Sequence, residues 1–197
     1  MEFQYITDKL QLRAIVAELR EDFRADRAGW NVLKESEMLH FRTYYPWVLF
    51  DNGRPVSINH TAFGKRKKNS WEPYANFYLA FTRPSLRRQG FAKQLALHVE
   101  TDARERGCVR LKALAGTTPG LMLHVGLRHE LWAVTDQREV VVDTPLVSPP
   151  PEGWSESTPP NARKWNERTT PYSFAEISEL LGPGGLRYEF AATKGPL

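Results

Sequence analysis

At the stretch Arg83-Pro84-Ser85-Leu86-Arg87-Arg88-Gln89-Gly90-Phe91-Ala92 the pattern of apolar residues along the chain changes. The residues before it, 75–82, are mostly aromatic or apolar, a composition typical of a β-strand. After it, Phe91, Leu95, Val99 and Ala103 recur every four residues, which is the spacing of one helical face. The pattern therefore predicts a strand, a basic turn with one glycine, and a helix from about Gly90 to Arg106.

Three further strands and a helix are predicted upstream of this stretch. Residues 45–50 and 56–63 are rich in aromatic and β-branched side chains, and Asp51-Asn52-Gly53-Arg54 between them is a strong hairpin signal. Residues 10–27 carry apolar side chains at three- and four-residue steps with charged residues between them, which predicts an amphipathic helix. A short strand at residues 3–6 precedes that helix.

Downstream, the alternation of apolar and basic residues over 108–115 predicts another strand. Thr118 followed by Pro119 is typical of an N-cap and a first-turn proline, so a short helix should begin there. Residues 131–135 and 140–143 are apolar runs joined by a polar turn, which predicts a closing hairpin.

The last quarter of the chain has a different composition. Seven of the 14 prolines lie between Pro145 and Pro171, which indicates an extended connector. Ser173 and Glu176 form a capping-box signature for a short helix, and residues 186–191 would follow as a strand. The sequence therefore predicts a domain over residues 1–146 and an appendage over residues 147–197.

Composition limits the class of protein. The 197 residues carry 27 basic and 23 acidic side chains, and the formal charge of +4 favours anionic partners such as phosphates. No apolar run approaches the roughly 20 residues that cross a bilayer, and the start Met1-Glu2-Phe3-Gln4 lacks a secretory profile, so we expect a cytoplasmic protein. Cys108 is the one cysteine, which excludes an internal disulfide and cysteine-based zinc sites. We predict no metal site.

The turn at residues 87–92 has the chemistry of an anion site. The first amides of a helix have no partner within the helix and carry a partial positive charge, which suits a phosphate or a pyrophosphate. Gly90 permits close approach of an oxygen, Ala92 keeps the first turn slim, and Arg87 and Arg88 add cations. The alternative is a basic turn with a glycine at its bend and no ligand.

The motif Pro84-x-x-Arg87-x-x-Gly90-x-Ala92 resembles the acyl-CoA-binding signature (Gln/Arg)-x-x-Gly-x-(Gly/Ala) of the GNAT superfamily of N-acetyltransferases. The order of the predicted strands and helices over residues 1–146 also resembles that family. The resemblance implies an α/β fold with a mixed, mostly antiparallel central sheet flanked by helices, here with a C-terminal extension. It implies transfer of an acetyl or similar acyl group from acetyl-CoA, or another acyl-CoA, to an amine by direct attack.

The resemblance also implies roles for individual residues. The main chain around Arg87, Arg88, Gln89, Gly90, Phe91 and Ala92 would hold the CoA pyrophosphate. Ala80, Phe81 and Thr82 at the end of the preceding strand would bind the pantetheine arm. The strands at residues 75–82 and 108–115 would splay apart to admit the acyl group.

The chain departs from the family at the proton donor. Many members have a tyrosine in the helix after the fifth strand, and this chain has none there. His124 is the nearest substitute, because imidazole exchanges a proton near neutral pH. Tyr78 is the second candidate, and His60 is a candidate base. The alternative for each is a structural role, and Cys108 is expected to be a small buried residue rather than a nucleophile.

The acceptor is not specified by any motif. Lys65, Arg66, Lys67 and Lys68 lie between Phe63 and Trp71, and basic residues near aromatic ones suit nucleic acid. The alternatives are a solvated loop and a contact to the CoA 3′-phosphate. Three hypotheses remain, namely an N-acyltransferase, a related protein that modifies or binds nucleic acid, and a noncatalytic interaction module.

Overall fold

A computed structural model describes residues 1–25, 45–64, 73–154 and 168–187. Its elements are β1 (Glu2–Tyr5), α1 (Lys9–Ala25), β2 (Tyr45–Asp51), β3 (Arg54–Phe63), β4 (Tyr74–Thr82), α2 (Phe91–Glu105), β5 (Arg110–Ala115), α3 (Thr118–Gly126), β6 (Leu131–Val134), β7 (Val140–Pro145) and α4 (Phe174–Leu181). The predicted fold class, a mixed and mostly antiparallel sheet flanked by helices, is confirmed. No helix in the described ranges is both long and apolar enough to cross a membrane.

The chain divides into two compact units, and the first comprises residues 1–62 and 77–102. Its strands have the order β1-β2-β3-β4, and both the β1–β2 and β2–β3 pairs are antiparallel. Asn52 and Gly53 join β2 to β3 with positive φ angles of 49° and 75°, as a two-residue hairpin turn requires. The predicted amphipathic helix, α1, buries its apolar face against this sheet, through Leu12, Ile15, Val16, Leu19, Val48, Ile58 and Phe81.

The second unit comprises residues 63–76 and 103–187 of the described chain. The start of β4 lies in it, and its strand order is β4-β5-β7-β6, with β7 antiparallel to both of its neighbours. Trp132 is fully buried, and its indole donates to the carbonyl of Asp143 at 2.8 Å. A buried ion pair between Arg110 and Asp143 joins β5 to β7, with Nε donating to Oδ1 at 3.0 Å. Two hydrogen-bonded groups thus fix the β5-β7-β6 half of the sheet.

The C-terminal segment packs against the β6–β7 hairpin. Tyr172 donates its backbone N–H to the carbonyl of Leu131, so the outer strand β6 gains a partner. Arg138, in the β6–β7 turn, donates to the carbonyls of Leu181 and Gly185. The Trp154 indole donates to Glu130 at 2.9 Å. These contacts attach α4 and the residues after it to the second unit.

The structure corrects one predicted cap and supports another. The N-cap of α3 is Thr117, not Thr118, because the Thr117 hydroxyl accepts from the N–H of Gly120 at 3.2 Å. The capping box of Ser173 and Glu176 is present, and Gly182 ends α4 with a φ of 57°. Most of the strand predicted at residues 186–191 lies outside the described residues.

Candidate functional site

The turn before α2 has an unusual backbone. A short 3-10 turn, Pro84–Leu86, follows β4, and Arg88 and Gly90 then adopt positive φ angles of 65° and 86°. The first hydrogen bond of α2 runs from the N–H of Gln94 to the carbonyl of Gly90 at 2.9 Å. A positive φ is readily adopted by glycine and is costly for most other residues. The glycine predicted at this bend is therefore required by the backbone that the turn adopts.

After Arg87, the backbone N–H groups of Arg88, Gly90, Phe91, Ala92 and Lys93 have no hydrogen-bond acceptor within the described part of the chain. The first turn of α2 carries no acidic residue that would occupy them. Arg88, Gln89 and Gly90 are exposed, so an external anion can reach this group of amides, which we call the amide loop.

The two arginines of the motif have different surroundings. Arg87 donates through Nε to the carbonyl of Thr82 at 3.2 Å, and its guanidinium lies 5.9 Å from the centre of the Phe81 ring. Arg88 is exposed and makes no hydrogen bond or ion pair within the described residues, and the same is true of Lys93 in the first turn of α2. Arg87 therefore supports the loop, whereas Arg88 and Lys93 are the cations available to a ligand.

The end of β4 is held by a serine that the sequence analysis did not single out. The Ser57 hydroxyl donates to the carbonyl of Phe81 at 2.9 Å and lies 2.8 Å from the Thr82 hydroxyl. Phe81 and Thr82 are buried, whereas Ala80 is exposed. The strand end is thus fixed from the β3 side.

Two backbone hydrogen bonds imply one extra residue in β4. The N–H of Arg83 donates to Val56, and the N–H of Gly64 donates to Tyr74. Positions 56 to 64, which cover most of β3 and the residue after it, span eight steps, but positions 74 to 83, which cover β4 and the residue after it, span nine. A regular antiparallel ladder would give equal spans, so the stretch from Tyr74 to Arg83 holds one extra residue, as in a β-bulge. This stretch contains the strand end that the sequence analysis assigned to the pantetheine arm.

The two candidate proton donors differ in accessibility. Tyr78, on β4, has 46% of its surface exposed. His124, on α3, is buried, and its Nδ1 lies 2.8 Å from Nδ1 of His129. Burial, together with the neighbouring His129, lowers the pKa of His124 to about 3, so its ring is neutral at neutral pH. The catalytic assignment of both residues stays a prediction, and the surroundings of His124 fit a structural pair of histidines.

His60, on β3, is also a buried neutral imidazole. Only 3% of its surface is exposed, and its Nε2 has no hydrogen-bond partner within the described ranges. Burial lowers its pKa to about 4. A base of so low a pKa removes a proton from an alkylammonium group inefficiently, so the structure gives no support for His60 as the catalytic base.

The buried His60 should make the protein less stable in acid. Its pKa is about 4 in the folded chain and about 6.5 unfolded, so between these values the unfolded chain binds more protons and the free energy of unfolding decreases as the pH is lowered. Between pH 7 and pH 5 the native protein should lose about 2 kcal/mol more of its free energy of unfolding than His60→Leu does. Urea unfolding of both proteins at the two pH values measures this difference. A difference independent of pH would contradict a buried, neutral His60.

Some predicted residues fall outside the described chain. Lys65, Arg66, Lys67 and Lys68, the candidate nucleic-acid contacts, belong to this group, so their assignment stays a sequence prediction. Among the residues that are described, no group of three histidine, cysteine or acidic side chains could hold a metal ion. Cys108 is buried, as expected for a structural cysteine.

Comparisons with known proteins place the chain among acetyltransferases. The sequence model described as Acetyltransferase (GNAT) family matches residues 12–121. A search of curated proteins gives no match. Three solved structures share the fold at low sequence identity, and the similarity therefore bears on the fold alone.

The first of these is yncA from Salmonella typhimurium with its cofactor acetyl-CoA, which is 15% identical and has a TM-score of 0.57 over 75% of this chain and 94% of that one. The second is the ribosomal-protein-S18-alanine N-acetyltransferase from Escherichia coli, at 16% identity and a TM-score of 0.53, covering 74% and 94%. The third is the PaiA N-acetyltransferase from Thermoplasma acidophilum in complex with coenzyme A, at 12% identity and a TM-score of 0.53, covering 74% and 99%.

Proposed function

Because the chain belongs to the acetyltransferase (GNAT) family, we propose that it transfers an acetyl or similar acyl group from acyl-CoA to an amine. The amine attacks the thioester carbon directly, so a C–N bond forms as the C–S bond breaks. The nitrogen loses a proton and the departing thiolate gains one. The acceptor is an amine whose class the described residues leave open.

The amide loop is the observation that carries this proposal. Its N–H groups lie at the start of a 15-residue helix, where the helix dipole adds a partial positive charge. A pyrophosphate supplies several acceptor oxygens to such a group of donors. Arg88 and Lys93 are exposed next to these donors and would neutralise its charge. The CoA pyrophosphate therefore fits this loop in both charge and hydrogen bonding.

The β4 strand would hold the rest of acyl-CoA. The extra residue interrupts the β3–β4 ladder, and backbone groups of β4 near it would bind the pantetheine amides and the thioester carbonyl. A backbone N–H aimed at the carbonyl oxygen stabilises the negative charge that develops during attack. Ala80, with a small exposed side chain, leaves room beside the main chain at this point.

We propose that Tyr78 donates the proton that the thiolate receives. Its hydroxyl belongs to an exposed side chain on β4, two residues before Ala80, whereas His124 is buried and bonded to His129. A phenol is protonated at neutral pH and can therefore donate to the sulfur as the C–S bond breaks. Bulk solvent then returns a proton to the tyrosine, and the proton lost by the amine goes to solvent.

We propose two regions in the chain and a cytoplasmic location for the protein. The acetyltransferase domain would span residues 1–146, which contains the matched range 12–121, and residues 147–197 would form an appendage. The attachment of α4 to the β6–β7 hairpin supports an appendage that is docked rather than separate. The single cysteine favours a cytoplasmic location.

Ligand-dependent stability tests the proposal. Acetyl-CoA at about 100 times its Kd should add roughly 2.7 kcal/mol to the free energy of unfolding, which a thermal shift records. Adenosine is the matched control, because it lacks the pyrophosphate and should give no shift at the same concentration. Activity is measured as the release of free CoA thiol when acetyl-CoA and a panel of primary amines are added. An equal response to adenosine, or none to acetyl-CoA, would contradict the proposal.

A further inference from the structure

We propose that Arg83 is a positioning residue for acyl-CoA binding, because it ties the amide loop to α1 and β3. The inference rests on the function proposed above. Arg83 directly follows β4 and directly precedes the Pro84–Leu86 turn. It therefore lies at the point where the strand assigned to pantetheine meets the loop assigned to pyrophosphate.

The guanidinium of Arg83 contacts three groups from two other elements. Its Nε donates to the carbonyl of Pro55 at 2.7 Å, on β3. One terminal nitrogen donates to Glu18 at 2.7 Å, and the other lies 3.2 Å from Asp22, both on α1. The side chain is only 11% exposed. Each of the three guanidinium nitrogens of Arg83 thus contacts an acceptor of the protein.

The two carboxylates form a binding site for the Arg83 guanidinium. Glu18 and Asp22 are four residues apart, so they share a face of α1 and repel each other. Asp22 also lies near the C-terminal end of this helix, where a negative charge is unfavourable and a cation is favourable. Arg83 relieves both effects, and its planar fork meets three acceptors in a way that a lysine cannot. The pairing is therefore specific to arginine.

Backbone hydrogen bonds and Pro84 fix the position of the amide loop relative to Arg83. The backbone N–H of Arg83 donates to Val56 at 3.1 Å, and its carbonyl accepts from Leu86 at 2.9 Å. Pro84 fixes one φ angle of the turn, and the N–H of Arg87 donates to its carbonyl at 3.4 Å. A shift of Arg83 would therefore displace the amides of the loop together. Preorganisation of such donors lowers the cost of binding an anion.

Acetyl-CoA affinity measured by titration calorimetry, well below the unfolding temperature, tests the inference. We expect Arg83→Ala to raise the Kd at least about tenfold, since a mobile loop must be ordered on binding. Arg83→Lys keeps the charge but not the fork, so its Kd should lie between those of the native protein and Arg83→Ala. The matched control is Arg54→Ala. Arg54 also approaches Glu18, at 3.5 Å, but it is 71% exposed, and its loss should change the Kd less than about twofold.

A second variant covers the case in which Arg83→Ala does not fold. Glu18→Gln alters a half-exposed partner and removes the charge that Arg83 binds, and it should raise the Kd about threefold. A lower unfolding temperature with an unchanged Kd in the Arg83 and Glu18 variants would overturn the inference and leave the proposed function intact. A Kd for Arg83→Lys equal to that of the native protein would also overturn it. Failure of the native protein to bind acetyl-CoA would instead reject the proposed function, and the inference with it.

Discussion

Gly90→Glu should raise the Kd for acetyl-CoA at least about 100-fold and abolish the acetyl-CoA thermal shift. The substitution places a carboxylate among the amides that would hold the pyrophosphate, so like charges oppose each other where the ligand binds. The φ of 86° at Gly90 adds backbone strain for any side chain, although a β-carbon would have room, 3.7 Å from Gln94 Nε2. An acidic residue at a helix N-terminus is favourable for the helix itself, so the variant should still fold.

Gly53→Glu is the matched control for this prediction. Gly53 also has a positive φ, 75°, and an added β-carbon there would meet no atom within 4 Å. The control therefore carries the same strain and the same charge at the β2–β3 turn rather than in the amide loop. Its Kd for acetyl-CoA should stay within about twofold of the native value. Equal loss of affinity in both variants, or in neither, would argue against pyrophosphate binding at residues 88–93.

Tyr78→Phe should lower kcat about 100-fold while the Kd for acetyl-CoA stays unchanged, because only a proton donor is removed. The ring remains, so packing and the exposed apolar surface of β4 are preserved. The rate is measured as release of CoA thiol with the best amine of the panel, and the Kd by titration calorimetry. The fall in kcat should be larger with CoA thioesters than with an acyl donor whose leaving group needs no proton.

His124→Gln separates the two candidate donors. His124 is buried against His129, so its replacement should lower stability and leave kcat within about threefold at temperatures where the protein is folded. The opposite result, a normal kcat for Tyr78→Phe and a large fall for a folded His124→Gln, would assign the proton to the histidine. Unfolding curves recorded beside the kinetics distinguish loss of stability from loss of catalysis.

Local sequence signals predicted the secondary structure well where a few adjacent residues determine it. Asn52-Gly53 gives the hairpin, and Ser173 with Glu176 gives the capping box, because each interaction closes within four residues. The cap of α3 was wrong by one residue. Thr117 and Thr118 both precede Pro119, and only the backbone of Thr117, extended at φ −133°, lets its hydroxyl reach Gly120. Two adjacent threonines gave no means of choosing between them.

The site was predictable only in part, since several of its features depend on pairs distant in sequence. The strand order, with β7 between β5 and β6, is one such feature. The extra residue of β4 is visible only by comparison with β3. The sequence also does not show that Glu18 and Asp22 pair with Arg83, which lies about 60 residues later. The buried pair of His124 and His129 is another such feature, and the sequence shows only that a histidine lies in a short apolar helix. The turn at residues 87–92 was predictable because its backbone needs are met locally.

The bond from Tyr172 to Leu131 has a practical consequence for shortened forms of the protein. The outermost strand, β6, would otherwise present unpaired main-chain groups to other copies, and such a strand promotes self-association. Cutting the chain after Leu146 would remove Tyr172, which pairs with β6, together with the residues whose carbonyls Arg138 binds. Solubility trials and crystallisation should therefore begin from a polypeptide that reaches at least Arg187.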